Sequence, residues 1–317
     1  MKNKDRKIYI AGHRGMVGSA VRLRLVEEGY KNLVGQSSDE LDLRDLPAVT
    51  AYMEREKPDV VIVAAAKRRG ILSNNQHSYT ILSDNLAIQR NLIEAAHRNR
   101  VKHLIYMGNS SVYPKNAPQP LKEESLLTGE LDSSKQWYAL AKIAGLKLCE
   151  ALRKQHRCDY VSLVPANLYG PRDDFFLQRP HVVPGLIRKF DEAKEEGHLP
   201  VALWGTGEAR REFLFVEDLA DAILFVLEHE VDYGLYNVST GKTLTILDLA
   251  ETIQRVVGHE GEIEWEQVMA GGTPTKQMDV SRLTDEGWTY STETEEGIRK
   301  TYEWYLKHRD EIGAEPA

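Results

Sequence analysis

Near its start the chain reads Ile8-Tyr9-Ile10-Ala11-Gly12-His13-Arg14-Gly15-Met16-Val17-Gly18, an apolar run followed by three glycines with two residues between each pair. Such glycines permit a tight turn, let backbone N–H groups approach a pyrophosphate and let the following helix pack closely on the strand. An ordinary strand–helix turn is the alternative, but the flanking pattern favours a dinucleotide site. The cofactor contacts expected from this turn are Gly12, Arg14, Gly15, Met16, Val17 and Gly18.

Over the first two thirds of the chain, short β-branched runs alternate with segments of helical period. This alternation is typical of βαβ units around a parallel sheet. It predicts an α/β protein with a Rossmann-type doubly wound parallel sheet and a smaller, interleaved C-terminal α/β substrate region. The expected strands are 7–11, 33–35, 60–65, 103–107 and 160–165, and the expected helices are 17–28, 46–56, 81–99 and 138–156.

Beyond residue 170 the alternation weakens and polar, proline-bearing stretches appear. We therefore expect a dinucleotide-binding domain over 1–170, with returning segments near 214–240, and a mainly substrate-binding region over 171–317. Helical periodicity within the second region covers 182–195 and 246–257.

The composition narrows the class of protein. With 41 basic and 48 acidic residues among 317, the net charge is −7, so no chain-wide basic field favours nucleic acid or an anionic membrane surface. The apolar start is too short for a signal peptide or a membrane span. Two cysteines, Cys149 and Cys158, without metal-ligand spacing, favour a reducing compartment and no metal. We expect a soluble, cytoplasmic protein.

Tyr138 and Lys142 are four residues apart in an expected helix and therefore lie on one face. A neighbouring ammonium stabilises phenolate and lowers the pKa of a tyrosine, which makes the pair suitable for proton transfer. A buried tyrosine beside a snorkelling lysine is the structural alternative. The preceding strand ends in Gly108-Asn109-Ser110-Ser111-Val112-Tyr113-Pro114, and ligands bind beyond the carboxyl ends of such strands. This position favours catalysis.

The end of the second strand normally distinguishes NAD from NADP through an acidic or a cationic side chain. Here Gly35-Gln36-Ser37-Ser38 offers neither, so Gln36 is an expected cofactor contact without charge. Arg14 can supply a cation for a 2′-phosphate, which favours NADP, while NAD stays possible.

The glycine triplet, the Tyr138–Lys142 pair and the serine-rich strand end resemble the extended short-chain dehydrogenase/reductases. Longer segments resemble the GDP-L-fucose synthase family over nearly the whole chain. These are Ile10 to Ser19, Ala64-Ala65-Ala66-Lys67, Asn167-Leu168-Tyr169-Gly170-Pro171, His181-Val182-Val183-Pro184 and Trp204-Gly205-Thr206-Gly207.

This resemblance implies NADPH-dependent reduction of the C4 ketone of a GDP-sugar after epimerisation at C3 and C5, which uses a cysteine and a histidine. It implies Tyr138 as proton donor, Lys142 as its partner and His181 as the histidine. Further cofactor contacts implied by it are Ala65, Lys67, Lys142, Asn167, Leu168 and His181. Substrate contacts expected from the resemblance and from charge are Arg68, Arg69, Lys189, Trp204, Arg211 and Lys276.

Three departures from the family pattern affect the chemistry. Asn109 replaces the first serine, but its amide NH₂ can still donate to a carbonyl oxygen. Ser111 replaces the cysteine, and a hydroxyl is a far weaker base than a thiol, so epimerisation is in doubt. Gln36 replaces a cation, which weakens the preference for NADP. Ser110, which lies between Asn109 and Ser111, completes the expected catalytic set.

Three functions stay open: a 4-keto reductase of a GDP-linked deoxy-sugar, a full 3,5-epimerase/4-reductase, and a non-catalytic dinucleotide-binding protein. Arg68 and Arg69 are equally compatible with a solvated loop, and Trp204 with a core position. The two amphipathic helices 81–99 and 138–156 suggest a homodimer seam.

Overall fold

The computed structural model describes residues 3–67, 77–176, 181–266 and 273–312. Its main sheet has six parallel strands in the order β10-β5-β4-β3-β1-β2. These strands are β1 Ile8–Ala11, β2 Leu33–Val34, β3 Val60–Val63, β4 His103–Met107, β5 Asp159–Pro165 and β10 Leu235–Val238. The predicted α/β class with a Rossmann-type parallel sheet is confirmed.

Nine helices are described. They are α1 Met16–Glu27, α2 Leu46–Glu56, α3 Ser78–Arg98, α4 Gln136–His156, α5 Val182–Glu195, α6 Val216–Glu228, α7 Ile246–Val257, α8 Ser281–Asp285 and α9 Thr294–His308. The smaller strands are β6 Asn167–Tyr169, β7 Val201–Trp204, β8 Arg210–Arg211, β9 Phe213–Phe215, β11 Leu244–Thr245, β12 Ile263–Glu266 and β13 Thr275–Lys276.

Both faces of the main sheet are covered. Side chains alternate along each strand, so Tyr9 packs with α2, α3 and α4 in one core cluster, while Ile8 and Ile10 pack with α1 and α6 in another. This double coverage leaves the carboxyl ends of the strands as the edge at which their loops meet.

A third apolar cluster lies in the C-terminal half. Phe190 of α5, Leu249 and Ile253 of α7 and Tyr305 of α9 pack with Phe213 and Phe215 of β9. The division of the chain into two domains near residue 170 stays a prediction.

Local sequence sets several helix boundaries. Asp45 caps α2 by accepting a hydrogen bond from the Ala48 N–H at 3.0 Å, and Thr245 with Asp248 forms a capping box at α7. The helix α7 ends at Gly258, which adopts a left-handed φ of 74°. Two helices begin earlier than the apolar periodicity predicts: α3 begins at Ser78 rather than residue 81, and α4 begins at Gln136 rather than residue 138.

The segment near 214–240 does not return to the main sheet as a whole. Phe213–Phe215 pairs with Asn167–Tyr169 in a separate two-stranded sheet, and 216–228 forms α6. Leu235–Val238 pairs in parallel with β5 at the edge of the main sheet. None of the helices in the described part of the chain is long and apolar enough to cross a membrane.

Candidate active site

The turn after β1 brings its glycines into very close contact. Gly15 donates its N–H to the Gly12 oxygen at 3.1 Å, and Gly12 has a φ of 87°. A Cβ on Gly18 would lie 2.1 Å from the Gly12 oxygen, and one on Gly12 would lie 2.8 Å from the Ala65 nitrogen. Only glycine fits at either position. The first N–H groups of α1, which begins at Met16 and Val17, therefore face the end of the sheet and can hold an anion.

A cavity of about 300 Å³ lies beside this turn, where β1 and β2 end. It is lined by Ile10, His13, Arg22, Leu33, Val34, Gly35, Gln36, Tyr52 and Glu56. His13 fills the space that a side chain on residue 35 would need, because a Cβ there would lie 2.6 Å from its ring. Burial, followed by the charges of Arg14 and Arg22, lowers the pKa of His13. Arg22 thus lines the cavity together with Gln36, and the charge of Arg14 acts on His13.

The loop after β3 carries Ala65 and Lys67. Asn85 of α3 holds this loop with two hydrogen bonds, accepting from the Lys67 N–H and donating to the Lys67 oxygen, each at 2.9 Å. The Lys67 side chain forms an ion pair with Asp84. Asn85 is buried and positions the loop. Sequence analysis did not identify this role, because a polar residue within a predicted helix is not a distinctive signal. Arg68 and Arg69 lie outside the described residues.

The chain after β4 makes a short 3₁₀ turn, Ser110–Val112. Asn109 caps the turn, since its Oδ1 accepts from the Ser111 N–H at 2.8 Å. Ser110 and Ser111 are both buried, and the Ser111 Oγ makes no hydrogen bond to any described residue. A buried hydroxyl without a partner is uncommon and is available to a ligand.

Helix α4 places Tyr138 and Lys142 beside this turn. The Lys142 ammonium donates to the Met107 oxygen at 2.8 Å and lies 5.7 Å from the centre of the Tyr138 ring. Lys142 is 3% exposed, whereas Tyr138 is half-buried. The carbonyl at the end of β4 therefore fixes a buried cation next to a phenol that solvent or substrate can reach.

His181 caps the start of α5. Its Nδ1 lies 2.8 Å from the Oδ1 of Asp173, whose side chain is almost fully buried. This contact orients the ring and leaves Nε2 as the nitrogen for other chemistry. Sequence analysis did not identify Asp173, because it lies eight residues before His181 in an irregular segment.

Asn167 and Leu168 lie in β6, which follows β5. The Asn167 side-chain amide donates to the backbone oxygen of Glu212 at 2.9 Å. Leu168 packs against the core cluster shared by α1 and α6. Both residues therefore lie where the main sheet meets the smaller sheets.

Two cations share a register in the small sheet, where Lys276 of β13 is paired with Arg211 of β8. Burial is the main cause that lowers the pKa of Lys276 to about 7, and the charges of Lys135 and Arg211 add to it. Burial also lowers the pKa of Arg211. Such a pair favours an anionic ligand, because a bound anion compensates the charge that the protein desolvates.

Glu212 lies next to these cations and was missed by sequence analysis. It is 1% exposed, and its Oε2 accepts from the Ser239 hydroxyl at 2.7 Å and from the Met278 N–H at 3.1 Å. Burial raises the pKa of Glu212 to about 7. The sequence feature that could have identified Glu212 is the position of a charged residue directly before the apolar run Phe213–Phe215.

Trp204 and Lys189 form a second group. The Trp204 side chain is 70% exposed, which corrects the alternative of a core position. The Lys189 ammonium lies 5.9 Å from the Trp204 ring and donates to the Ala202 oxygen at 2.9 Å. An exposed aromatic face with a cation beside it suits stacking against a planar ligand.

Comparison with known proteins gives concordant results. The profile of the NAD dependent epimerase/dehydratase family matches residues 8–239. The chain is 46% identical over 308 residues to GDP-L-fucose synthase 1 of Arabidopsis thaliana, covering 97% of this chain and 95% of that protein. It is 44% identical over 313 residues to GDP-L-fucose synthase of Escherichia coli (strain K12), covering 96% and 98%.

A solved structure is similar over the same length. It is MlghC, the GDP-mannoheptose C4 reductase from Campylobacter jejuni with NADP bound, with a TM-score of 0.87 and 34% sequence identity. The match covers 96% of this chain and 100% of that one.

Proposed function

The chain belongs to the NAD dependent epimerase/dehydratase family and, within it, to the GDP-L-fucose synthase family, and we propose that it is an NADPH-dependent 4-keto reductase of a GDP-linked deoxy-sugar. The main support for this proposal is the position of the buried Lys142 ammonium, which the Met107 backbone oxygen holds beside the Tyr138 ring. These groups lie where β4 ends, beside a buried hydroxyl that has no described partner.

The glycine turn fits a dinucleotide. Its close contacts leave no room for a Cβ on Gly12 or Gly18, so the N–H groups at the start of α1 can approach a pyrophosphate. Arg14 and Arg22 near His13 provide the positive charge that a 2′-phosphate requires, which supports NADP although Gln36 is neutral. When bound, the reduced nicotinamide supplies hydride.

Tyr138 delivers the proton in this proposal. The Lys142 ammonium stabilises the phenolate that forms as the ketone oxygen takes the proton. The Asn109 amide donates a hydrogen bond to the same oxygen. Trp204, Lys189, Arg211 and Lys276 bind the nucleotide end of the substrate through stacking and charge.

Purified protein, NADPH and a panel of GDP- and other nucleotide-linked 4-keto-sugars test the proposal. We expect cofactor oxidation and a reduced product, with the product configuration read by NMR, and loss of both in Tyr138→Phe. Cofactor binding without turnover on any member of the panel would instead support the non-catalytic binding protein.

A full 3,5-epimerase/4-reductase is the second candidate, favoured by the contact between His181 and Asp173. An oriented histidine suits proton transfer beside a ketone, whereas Ser111 is a weak base. Incubation of the keto-sugar in heavy water without NADPH separates the two functions. Deuterium at C3 or C5 supports epimerisation, and its absence before reduction supports the reductase.

We also propose a homodimer whose seam is the outer surface of α3 and α4. Tyr79 of α3 and Leu140 and Leu148 of α4 are exposed apolar side chains on these two packed helices. Light scattering coupled to size exclusion tests this proposal. We expect a dimer that becomes monomeric in Leu140→Glu/Leu148→Glu, and a monomeric parent protein would contradict it.

A cytoplasmic location is proposed because Cys149 and Cys158 are both free thiols, which suits a reducing compartment. Fractionation of cells that express the tagged full chain checks it. Recovery with the membrane or secreted fraction would contradict it.

A further inference from the structure

We propose that Tyr106 and Gln89 are positioning residues for the Lys142 ammonium. The inference rests on the proposed function, because it concerns the lysine assigned there to proton transfer. Neither residue lies in a motif that pointed to the cofactor or the substrate.

The Tyr106 ring lies beneath the ammonium. Lys142 Nζ is 4.9 Å from the centre of that ring, which is closer than its distance of 5.7 Å from the Tyr138 ring. Met107, the next residue of β4, accepts the hydrogen bond from the same ammonium at 2.8 Å. Two consecutive residues of one strand thus hold the cation, one through a carbonyl and one through a ring face.

The position of the ring is tightly constrained by α4. A Cβ on Gly145 would lie 2.3 Å from the Tyr106 Cζ and 2.4 Å from its hydroxyl oxygen. The ring therefore packs directly on the helix backbone one turn beyond Lys142. Only a glycine at residue 145 leaves space for it.

Gln89 of α3 ties this ring to the helix that carries the lysine. The Tyr106 hydroxyl donates to Gln89 Oε1, and Gln89 Nε2 donates to the Ala141 oxygen, directly before Lys142 in the chain. All of these groups are buried. The result is a closed loop of contacts from Lys142 through Tyr106 and Gln89 back to α4.

Tyr106 does not compete with Tyr138 for the proton. Burial, followed by the neighbouring Tyr138 and Cys149, raises the pKa of Tyr106 well above its usual value. Its hydroxyl therefore stays a donor to Gln89 at working pH. The role left to it is mechanical and electrostatic: it holds the ammonium at a fixed distance from Tyr138.

The double variant Tyr106→Phe/Gln89→Leu tests the inference. It removes both side-chain ends of the buried hydrogen bond, so folding is less affected than by either single change. Reduction requires protonated Tyr138, so kcat/KM falls as pH rises through the pKa of Tyr138. A displaced ammonium raises that pKa, and we expect the fall of kcat/KM to occur at a pH higher by about half a unit or more.

Tyr302→Phe is the matched control. It removes another buried tyrosine hydroxyl, which donates to Asp191 at 2.7 Å in the third core cluster. We expect this variant to lose thermal stability, while the pH at which kcat/KM falls stays the same as in the parent protein. A double variant that loses activity equally at every pH, or that matches the parent protein, would overturn the inference.

A second measurement does not depend on turnover. Phenolate absorbance near 295 nm, followed against pH in the parent and double variants with and without Tyr138→Phe, gives the titration of Tyr138 alone. An upward shift in the double variant supports the positioning role even if no GDP-keto-sugar is reduced. Failure of the proposed function and failure of this inference are therefore distinguishable.

Discussion

The side chain of Asn109 accepts a hydrogen bond from the backbone N–H of Ser111, with Oδ1 and nitrogen 2.8 Å apart. This bond uses the oxygen of the amide to cap the 3₁₀ turn, so the NH₂ group is the end left for a substrate. In the proposed reductase, the side chain that replaces the family serine thus has two tasks, one in the turn and one toward the carbonyl.

Asn109→Asp separates these two tasks. Aspartate retains the capping oxygen but lacks the donor, and it places negative charge near a developing oxyanion. We expect kcat for ketone reduction to fall by about 100-fold, the loss typical for one oxyanion donor. Asn109→Ser is the control, since a hydroxyl also donates, and it should retain most of the activity. Equal losses in both variants would show that the donor is not required.

Ser111→Cys should introduce proton exchange beside the ketone. The Ser111 Oγ is buried without a described partner, so a thiol replaces it without breaking a hydrogen bond. A thiol is far easier to ionise than a hydroxyl and can act with His181. We expect deuterium incorporation from heavy water at C3 or C5 of the keto-sugar by NMR.

Ser111→Ala provides the comparison for that experiment. Loss of an unpaired buried hydroxyl should leave the thermal stability unchanged or slightly higher. If the parent protein already exchanges these protons and Ser111→Ala abolishes the exchange, serine is the base and the proposed restriction to reduction is wrong.

The sequence predicted the parts of the molecule that depend on local chemistry. The glycine triplet identified the turn between β1 and α1, since a Cβ on Gly18 would overlap the Gly12 oxygen. The Tyr138–Lys142 spacing placed both side chains on α4, because helical geometry fixes which residues share a face. Both follow from contacts within a few residues.

Other site features depend on contacts between distant segments. Asp173 contacts His181 from eight residues earlier in the chain, and Glu212 bonds Ser239 and Met278, which are separated from it by 27 and 66 residues. Periodicity carries no information on such contacts. The same reason explains why returning segments were expected near 214–240 without a distinction between Leu235–Val238, which pairs with β5, and Phe213–Phe215, which pairs with β6.

Lys276 gives the reaction a pH dependence if it binds the diphosphate. Its pKa is lowered to about 7, chiefly by burial, so the ammonium is lost as pH rises above 7. We expect KM for the GDP-sugar to rise by about tenfold between pH 6 and pH 8. Lys276→Arg stays charged and should flatten this rise, with KM for NADPH as the internal control. Identical profiles in both proteins would remove Lys276 from the binding site.

Glu212 provides a test in stability. Its folded-state pKa is raised to about 7 from an ordinary 4.5, so the folded protein retains a proton that the unfolded chain releases between these values. The contribution of Glu212 to stability therefore declines as pH rises from 4.5 to 7 and then levels off. Glu212→Gln keeps an acceptor for Ser239 and Met278 but carries no charge. We expect its melting temperature to match that of the parent protein near pH 5 and to exceed it at pH 8, with a difference in unfolding free energy of at most about 3 kcal/mol.

Glu251→Gln, an exposed change on α7, is the control for this series and should leave the melting temperature nearly unchanged at both pH values. Thermal unfolding at pH 5 and pH 8 measures all three proteins. A constant offset between Glu212→Gln and the parent protein at both pH values would mean that Glu212 does not gain its proton on folding.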